Sequence, residues 1–213
     1  MLIASYNPKS TKDTLILVMN PDVETQAVET KGDIVRIFDE DTNQTLGYNI
    51  FNISKIIPEI TSENGQVNLS EEEVSKLNDQ LTKNGFSADI VADNDPKFVV
   101  GYVKSIEDHP DSDHLKITHT QVDDGQELQI VSGSPNMQAD IKVVVAKVGA
   151  MMPDGLIIWP GKLRGVKSDG MIVSGRELKL KNAPQVPGAL ILPNDFQEIG
   201  QSFDFDKAQN LFN

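Results

Sequence analysis

Between Lys162 and Met171 the chain reads Lys-Leu-Arg-Gly-Val-Lys-Ser-Asp-Gly-Met, three cations set among two glycines and a serine. Lys162, Arg164 and Lys167 offer donors to phosphate oxygens, and the Ser168 hydroxyl can donate or accept one more hydrogen bond. Gly165 and Gly170 permit tight turning and close backbone approach. Leu163, Val166 and Met171 are expected to point inward and hold the segment on its domain. The chemistry such a pattern suits is binding of a polyanion. Its setting sharpens that reading, because the 213-residue chain carries 19 Lys+Arg against 32 Asp+Glu, a net charge of -13. From Lys142 to Lys181 the sign inverts, with eight basic residues against three acidic ones. A basic island on an acidic body gives a polyanion one face to bind. Charges also decorate ordinary solvated hairpins, so the interleaved residues must decide.

Two other clusters could carry chemistry. His109-Pro-Asp-Ser-Asp-His114 gathers two imidazoles and two carboxylates within six residues. Metal ligation needs a defined geometry, and no helix or further ligand cluster supplies one here. Asp111 and Asp113 are expected to cap turn amides, with Pro110 fixing the bend. Ile130-Val-Ser-Gly-Ser-Pro-Asn136 leaves a strand, and its Ser132, Gly133 and Asn136 either face a base or sugar or simply close a turn. Aromatic residues for base stacking are few: Tyr102, then Trp159, with Phe98 better suited to a core. That poverty favours recognition of shape and backbone over sequence.

Catalytic signatures are missing. The chain has no cysteine, so thiolate metal sites, disulfides and cysteine nucleophiles are excluded. It contains no Gly-x-Gly-x-x-Gly, Walker A or Gly-x-Ser-x-Gly sequence. No nucleophile, base and orienter assemble in the sequence, and Asp22, Glu24, Asp39 and Asp41 show no convergence. The expectation is a protein without enzymatic activity, metal or cofactor.

The elements that must position these groups fall into two parts. Thr14–Met19, residues 26–30, 34–38 and 45–53 read as short extended segments of an antiparallel sheet. One helix is signalled by Ser70 and Glu73 as a capping box, Leu69 and Val74 as a hydrophobic staple, Val74, Leu77 and Leu81 on one face, and Gly85 as the stop. Ala92-Asp-Asn-Asp-Pro96 reads as a boundary. Ahead of it residues 1–95 hold 7 basic and 17 acidic side chains; residues 96–213 hold 12 and 15. Strands are then expected at 98–106, 115–122, 128–132, 143–148, 156–159, 171–174 and 189–192, a number and spacing that suit a small closed barrel. The N-terminus lacks the pattern of a signal peptide, and the longest apolar runs are too short to span a bilayer. A soluble, cytoplasmic protein away from the membrane is expected.

Taken in order, Val100 to Leu115, Leu128 to Asn136 and Lys162 to Met171 resemble the tRNA-binding OB-fold domain. That domain occurs in bacterial phenylalanyl-tRNA synthetase β chains, in many methionyl-tRNA synthetases and in freestanding tRNA-binding proteins. The resemblance covers roughly residues 97 to 192. Ser134 stands where the synthetase versions usually carry alanine, and Ser132 where many carry cysteine. With the segments ahead of the boundary, the resemblance gives an α+β chain: a small mixed acidic α+β domain of unknown role (1–92), then an all-β OB-fold barrel with a C-terminal extension (97–205). It implies tRNA as partner, with Lys162, Arg164, Ser168 and Met171 at or beside the RNA face. The candidate RNA-binding set is therefore Lys162, Arg164, Lys167, Ser168, Met171, Ser132, Gly133, Asn136 and Tyr102. The rival is a chaperone-like or protein-interaction module using the same barrel, since the acidic N-terminal half suits a basic protein partner. Monomer and homodimer both remain open.

Overall fold

The structure, a computed structural model, describes residues 1–212 of the 213-residue chain. It divides into two compact units, Met1–Asp95 and a second beginning at Pro96. In the first, six strands form one antiparallel sheet: β1 (Ile3–Tyr6), β2 (Thr14–Val18), β3 (Gln26–Lys31), β4 (Ile34–Asp39), β5 (Thr45–Phe51) and β6 (Gly65–Val67), in the order β3-β4-β5-β2-β1-β6. A short helix, α1 (Pro8–Thr11), joins the first two strands, and α2 (Glu71–Lys83) follows the last. Period-two alternation sends Leu15, Leu17, Tyr48 and Ile50 to one face of the sheet, where they are buried in one cluster with Val74, Leu77 and Leu81 of α2. Ser70 and Glu73 form the reciprocal capping box. At the far end Gly85 takes φ +74°, its amide donates to Thr82, and the Phe86 amide donates to Leu81. Those two bonds are the Schellman closure that a left-handed glycine permits. Asp39 accepts from the Asp41 amide and the Thr42 hydroxyl inside its own turn, so it serves the β4–β5 connection.

The second unit is a nearly closed antiparallel barrel of the OB type. β7 (Phe98–Asp108), β8 (Lys116–Gln121), β9 (Glu127–Ser132), β10 (Ile141–Lys147), a β11–β12 hairpin (Gly161–Leu163 and Val166–Ser168), β13 (Gly170–Ile172) and β14 (Ile191–Leu192) follow in turn. The main sheet runs β13-β10-β7-β8-β9, with β14 also on β10. A register shift at Val103/Ser105 bends β7 around the barrel, as a bulge does. Closure between β9 and the 168–170 segment has no ladder. It relies on single bonds: the Asp169 amide to the Gln129 carbonyl at 2.9 Å, the Gln129 side-chain amide to the Lys167 carbonyl at 2.7 Å, and the Val131 amide to Ser168 Oγ at 3.1 Å.

β10 and the first half of β7 are buried on both faces. Val99, Val103, Val143 and Val145 fill the barrel, while Val100, Val144 and Ala146 face a second cluster with Leu178, Phe196, Phe203 and Ala208. This explains why Val143 to Ala146 is a continuous apolar run instead of an alternating one. The C-terminal extension supplies that second layer: Ser202 bridges Val99, Phe203 donates to Phe98, and α3 (Phe205–Ala208) closes over it, with Phe205, Leu211 and Phe212 packed alongside. One expected strand is absent. Residues 156–159 form instead the return arm of a tight turn, with Gly149 and Met152 donating to Ile158 and Leu156, and only an isolated bridge between Met151 and Ile157. Pro153 and Gly155 (φ +94°) force the chain back before a ladder can extend.

Candidate nucleic-acid interface

The basic segment folds as the β11–β12 hairpin, a strap standing off the barrel. Arg164 and Gly165 form its two-residue turn with φ +44° and +85°, the paired left-handed conformation that matches strand twist. Lys162 and Lys167 are cross-strand partners, so they share one face of the hairpin. Gly161 and Ser168, and Leu163 and Val166, occupy the other. Two ammonium groups thus rise from directly opposed positions, an arrangement that opposes stability unless something anionic offsets it. Asp169 meets one of them, with Oδ2 2.8 Å from Lys167 Nζ. Lys162 has no ion pair or hydrogen bond from its side chain among the described residues.

A three-residue-a-side hairpin is marginal alone, and the 109–115 loop braces this one. His109 is 4% exposed. Its Nδ1 accepts the Asp111 amide at 3.1 Å, so Nε2 carries the proton and donates to the Leu163 carbonyl at 3.1 Å. Arg164 Nη1 donates to the Asp111 carbonyl at 2.9 Å. With both ring nitrogens engaged, His109 has no lone pair left for a metal. The caps differ from expectation: Ser112, and neither Asp111 nor Asp113, accepts the Leu115 amide. Asp113 instead pairs with His114 at 2.7 Å, and that bond, more than the nearby Arg164 charge, holds its carboxyl below the usual range.

Beside the strap lies a cleft of about 450 Å³ between the exit of β9, the 157–159 segment, Leu163 and the 174–177 turn. Ser132, Gly133, Ser168 and Met171 all line it, while Tyr102 and Asn136 do not. Several of these residues hold the fold together. Ser168 is 5% exposed; its hydroxyl accepts from the Val131 amide and donates to the Gly170 carbonyl at 3.1 Å. The expected outward hydroxyl is therefore a rivet holding the strap to β9. Asn136 spans to Ala189, donating to its carbonyl at 3.0 Å and accepting its amide at 2.8 Å, so its side-chain amide is consumed by backbone. Ser132 is buried and accepts from the Ser134 amide. The Tyr102 hydroxyl donates to Asp140 at 2.9 Å, and that bond, with burial, raises its phenol above the ordinary value. Leu163, expected inward, is 42% exposed as a cleft wall, because the hairpin's inner face looks onto the cleft and not onto the core.

The basic island also resolves into two groups. Lys142 donates to the carbonyls of Asn194 and Gln197, Lys147 pairs with Asp123 at 2.8 Å while 9% exposed, and Lys179 donates to the Pro153 carbonyl. These three tie the barrel to its extension and loops. Lys162, Arg164, Lys167, Arg176 and Lys181 remain exposed.

Family models match both units: a "Putative tRNA binding domain" over residues 98–198, and a domain of unknown function (DUF4479) over residues 21–93. Among curated proteins, the "Putative tRNA-binding protein YtpR" of Bacillus subtilis is 47% identical over 204 residues, covering 95% of this chain and 99% of that protein. The chain belongs to the YtpR family. Phenylalanine--tRNA ligase beta subunits match over less: that of Acinetobacter baylyi is 41% identical over 122 residues, and that of Oceanobacillus iheyensis 40% over 148. The chain spans only 15% and 18% of those two subunits. Among the described residues of this YtpR-family chain, no helix is long and apolar enough to cross a membrane.

One cleft residue escaped the sequence reading as a site member. Arg176 lines the cleft, set on a turn in which Ser174 and Glu177 form their own capping box: Glu177 Oε2 accepts the Ser174 amide at 2.7 Å and hydroxyl at 2.6 Å. The Ser-x-x-Glu spacing around Arg176 is the signal that could have marked a rigid, cation-bearing turn. Trp159, named only for stacking, also stands in the cleft wall.

Proposed function

We propose that this chain binds tRNA, without chemistry of its own, through the outer face and tip of the β11–β12 strap. The observation that carries the reading is the opposed Lys162–Lys167 pair. Like charges placed across a hairpin cost stability in the free protein, and a phosphate between them turns that repulsion into attraction. Arg164 at the turn adds a third cation, held in place by the Asp111 carbonyl. The name of the YtpR relative and the description of the matching family model support tRNA as the polyanion. Phosphate contacts position a nucleic acid without reading sequence, so the reading is recognition of tRNA shape and backbone. The engaged side chains of Ser168, Asn136 and Tyr102 leave them little to offer a base edge.

A second reading has its own observation. Leu156 and Val186 are 55% and 62% exposed on the same unit as Leu163, and exposed apolar surface suits a polypeptide. One titration separates the two: total tRNA against duplex DNA and an unfolded basic peptide, each at two salt concentrations. Preferred, salt-weakened binding of tRNA supports the first reading. Peptide binding that survives salt, with no tRNA binding, replaces it.

A further inference from the structure

The cleft beside the strap is left unused by phosphate contacts on the strap's outer face. We infer that it takes one unstacked nucleotide of the bound RNA, the base against Trp159 and the phosphate on Arg176. This rests on the tRNA reading above.

Size comes first. About 450 Å³ lies within the range of clefts that enclose small ligands, and it is far below what a helix or duplex needs. Chemistry comes second. Trp159, the chain's single tryptophan, is half-buried and shares the cleft with Leu163 and Met171, so an aromatic residue and apolar walls line it together. An aromatic face accepts any base, and such stacking changes affinity by roughly five- to 150-fold per base. Charge comes third. The Arg176 guanidinium is exposed and has no hydrogen bond or ion pair among the described residues. Its turn is rigid: the Ser174–Glu177 capping box closes it, and a Cβ on Gly175 would come within 2.9 Å of the Phe212 ring. Glu177 lines the same cleft; its Oε2 is held by the Ser174 amide and hydroxyl, which fixes that carboxylate on the turn while its charge remains. An unpaired guanidinium at the edge of an aromatic cleft suits a nucleotide better than an apolar peptide, which would leave that charge unused.

Trp159 reports on its own cleft by fluorescence. The full chain is titrated with tRNA, with adenosine and cytidine monophosphate, and with inorganic phosphate and an unfolded apolar peptide as controls. The expected result is saturable quenching by tRNA and both nucleotides, and none by phosphate. Filter binding should then show Trp159→Leu losing about tenfold in tRNA affinity, and Trp159→Phe, which keeps a stacking face, losing far less. Arg176→Ala, at an exposed position, should weaken both tRNA and nucleotides, and it decides the matter if Trp159→Leu fails to fold. Unchanged tRNA affinity in a folded Trp159→Leu or Arg176→Ala chain overturns the inference while leaving the strap reading intact. Equal quenching by phosphate, or displacement by the peptide alone, also overturns it. If the unaltered chain binds no tRNA, the parent reading is what fails.

Discussion

His109 donates from Nε2 to the Leu163 carbonyl at 3.1 Å, joining a buried imidazole to a strap 54 residues further along the chain. The same ring accepts the Asp111 amide, and Asp111 in turn accepts Arg164. One histidine thus fixes both the end of β7 and the turn that carries a cation. The motif that looked like half of a metal site is the foot of the strap.

His109→Phe keeps the ring volume and removes both bonds. It should cost about 1–3 kcal/mol of stability, since it removes two hydrogen bonds worth about 0.5–1.5 kcal/mol each. It should also free the hairpin: amides of residues 161–168 lose hydrogen-exchange protection and tRNA affinity falls severalfold. Retained protection at the hairpin would show that the brace is dispensable.

What the sequence disclosed follows from range. The α2 cap, its Leu77 and Leu81 face and the Gly85 stop are local, and each appears as read. The strap's cations were visible as residue types at fixed spacing. Side chains whose partners lie far along the chain were not: Asn136 meets Ala189, Lys142 meets Asn194, and Ser168 meets Val131. Nothing local in an asparagine between two strands says that a backbone 53 residues away will consume its amide. For the same reason the basic island of the sequence divides once the barrel folds. Lys147 reads as surface charge until the barrel closes and brings Asp123 beside it.

The division of labour between strap cations and strap rivets is measurable. Lys162→Ala, Arg164→Ala and Lys167→Ala combined should lower tRNA affinity. The log-affinity versus log-salt slope should shrink by roughly 0.7 for each single-strand phosphate that is no longer neutralised. Ser168→Ala should behave differently. It removes the acceptor of the Val131 amide and should cost about 1–3 kcal/mol of stability, with the slope unaltered. A Ser168→Ala chain of normal stability with a shallower slope would return that hydroxyl to the RNA face. An unchanged slope in the folded triple variant would remove the strap from it.

The acidic half is expected to oppose binding. Residues 1–95 carry a net charge of -10, and residues 96–213 carry -3. Each unit has its own buried clusters, so a cut after Asp95 should yield two pieces that fold separately. The second piece should bind tRNA more tightly than the whole chain, because the repulsive field is gone. Weaker binding by that piece would mean that the first unit contributes to the site.

Salt dependence and selectivity share one cause. Lys142, Lys147 and Lys179 are engaged with carbonyls and Asp123, which leaves Lys162, Arg164, Lys167, Arg176 and Lys181 as the remaining exposed cations between Lys142 and Lys181. With about 0.7 per neutralised phosphate, five such contacts would give a slope of roughly 3.5 in magnitude. Repulsion from the acidic body is screened over the same distance, about 10 Å at 0.1 M salt, so the observed value should fall below that figure. A binding face built from phosphate contacts, with at most one sequence-tolerant stacking site, has little means to tell one tRNA from another. Different elongator tRNAs should therefore bind within roughly tenfold, about 1.4 kcal/mol. Competition among purified tRNAs measures this directly. A hundredfold preference for one species would require base-edge contacts from side chains that the fold has already committed elsewhere.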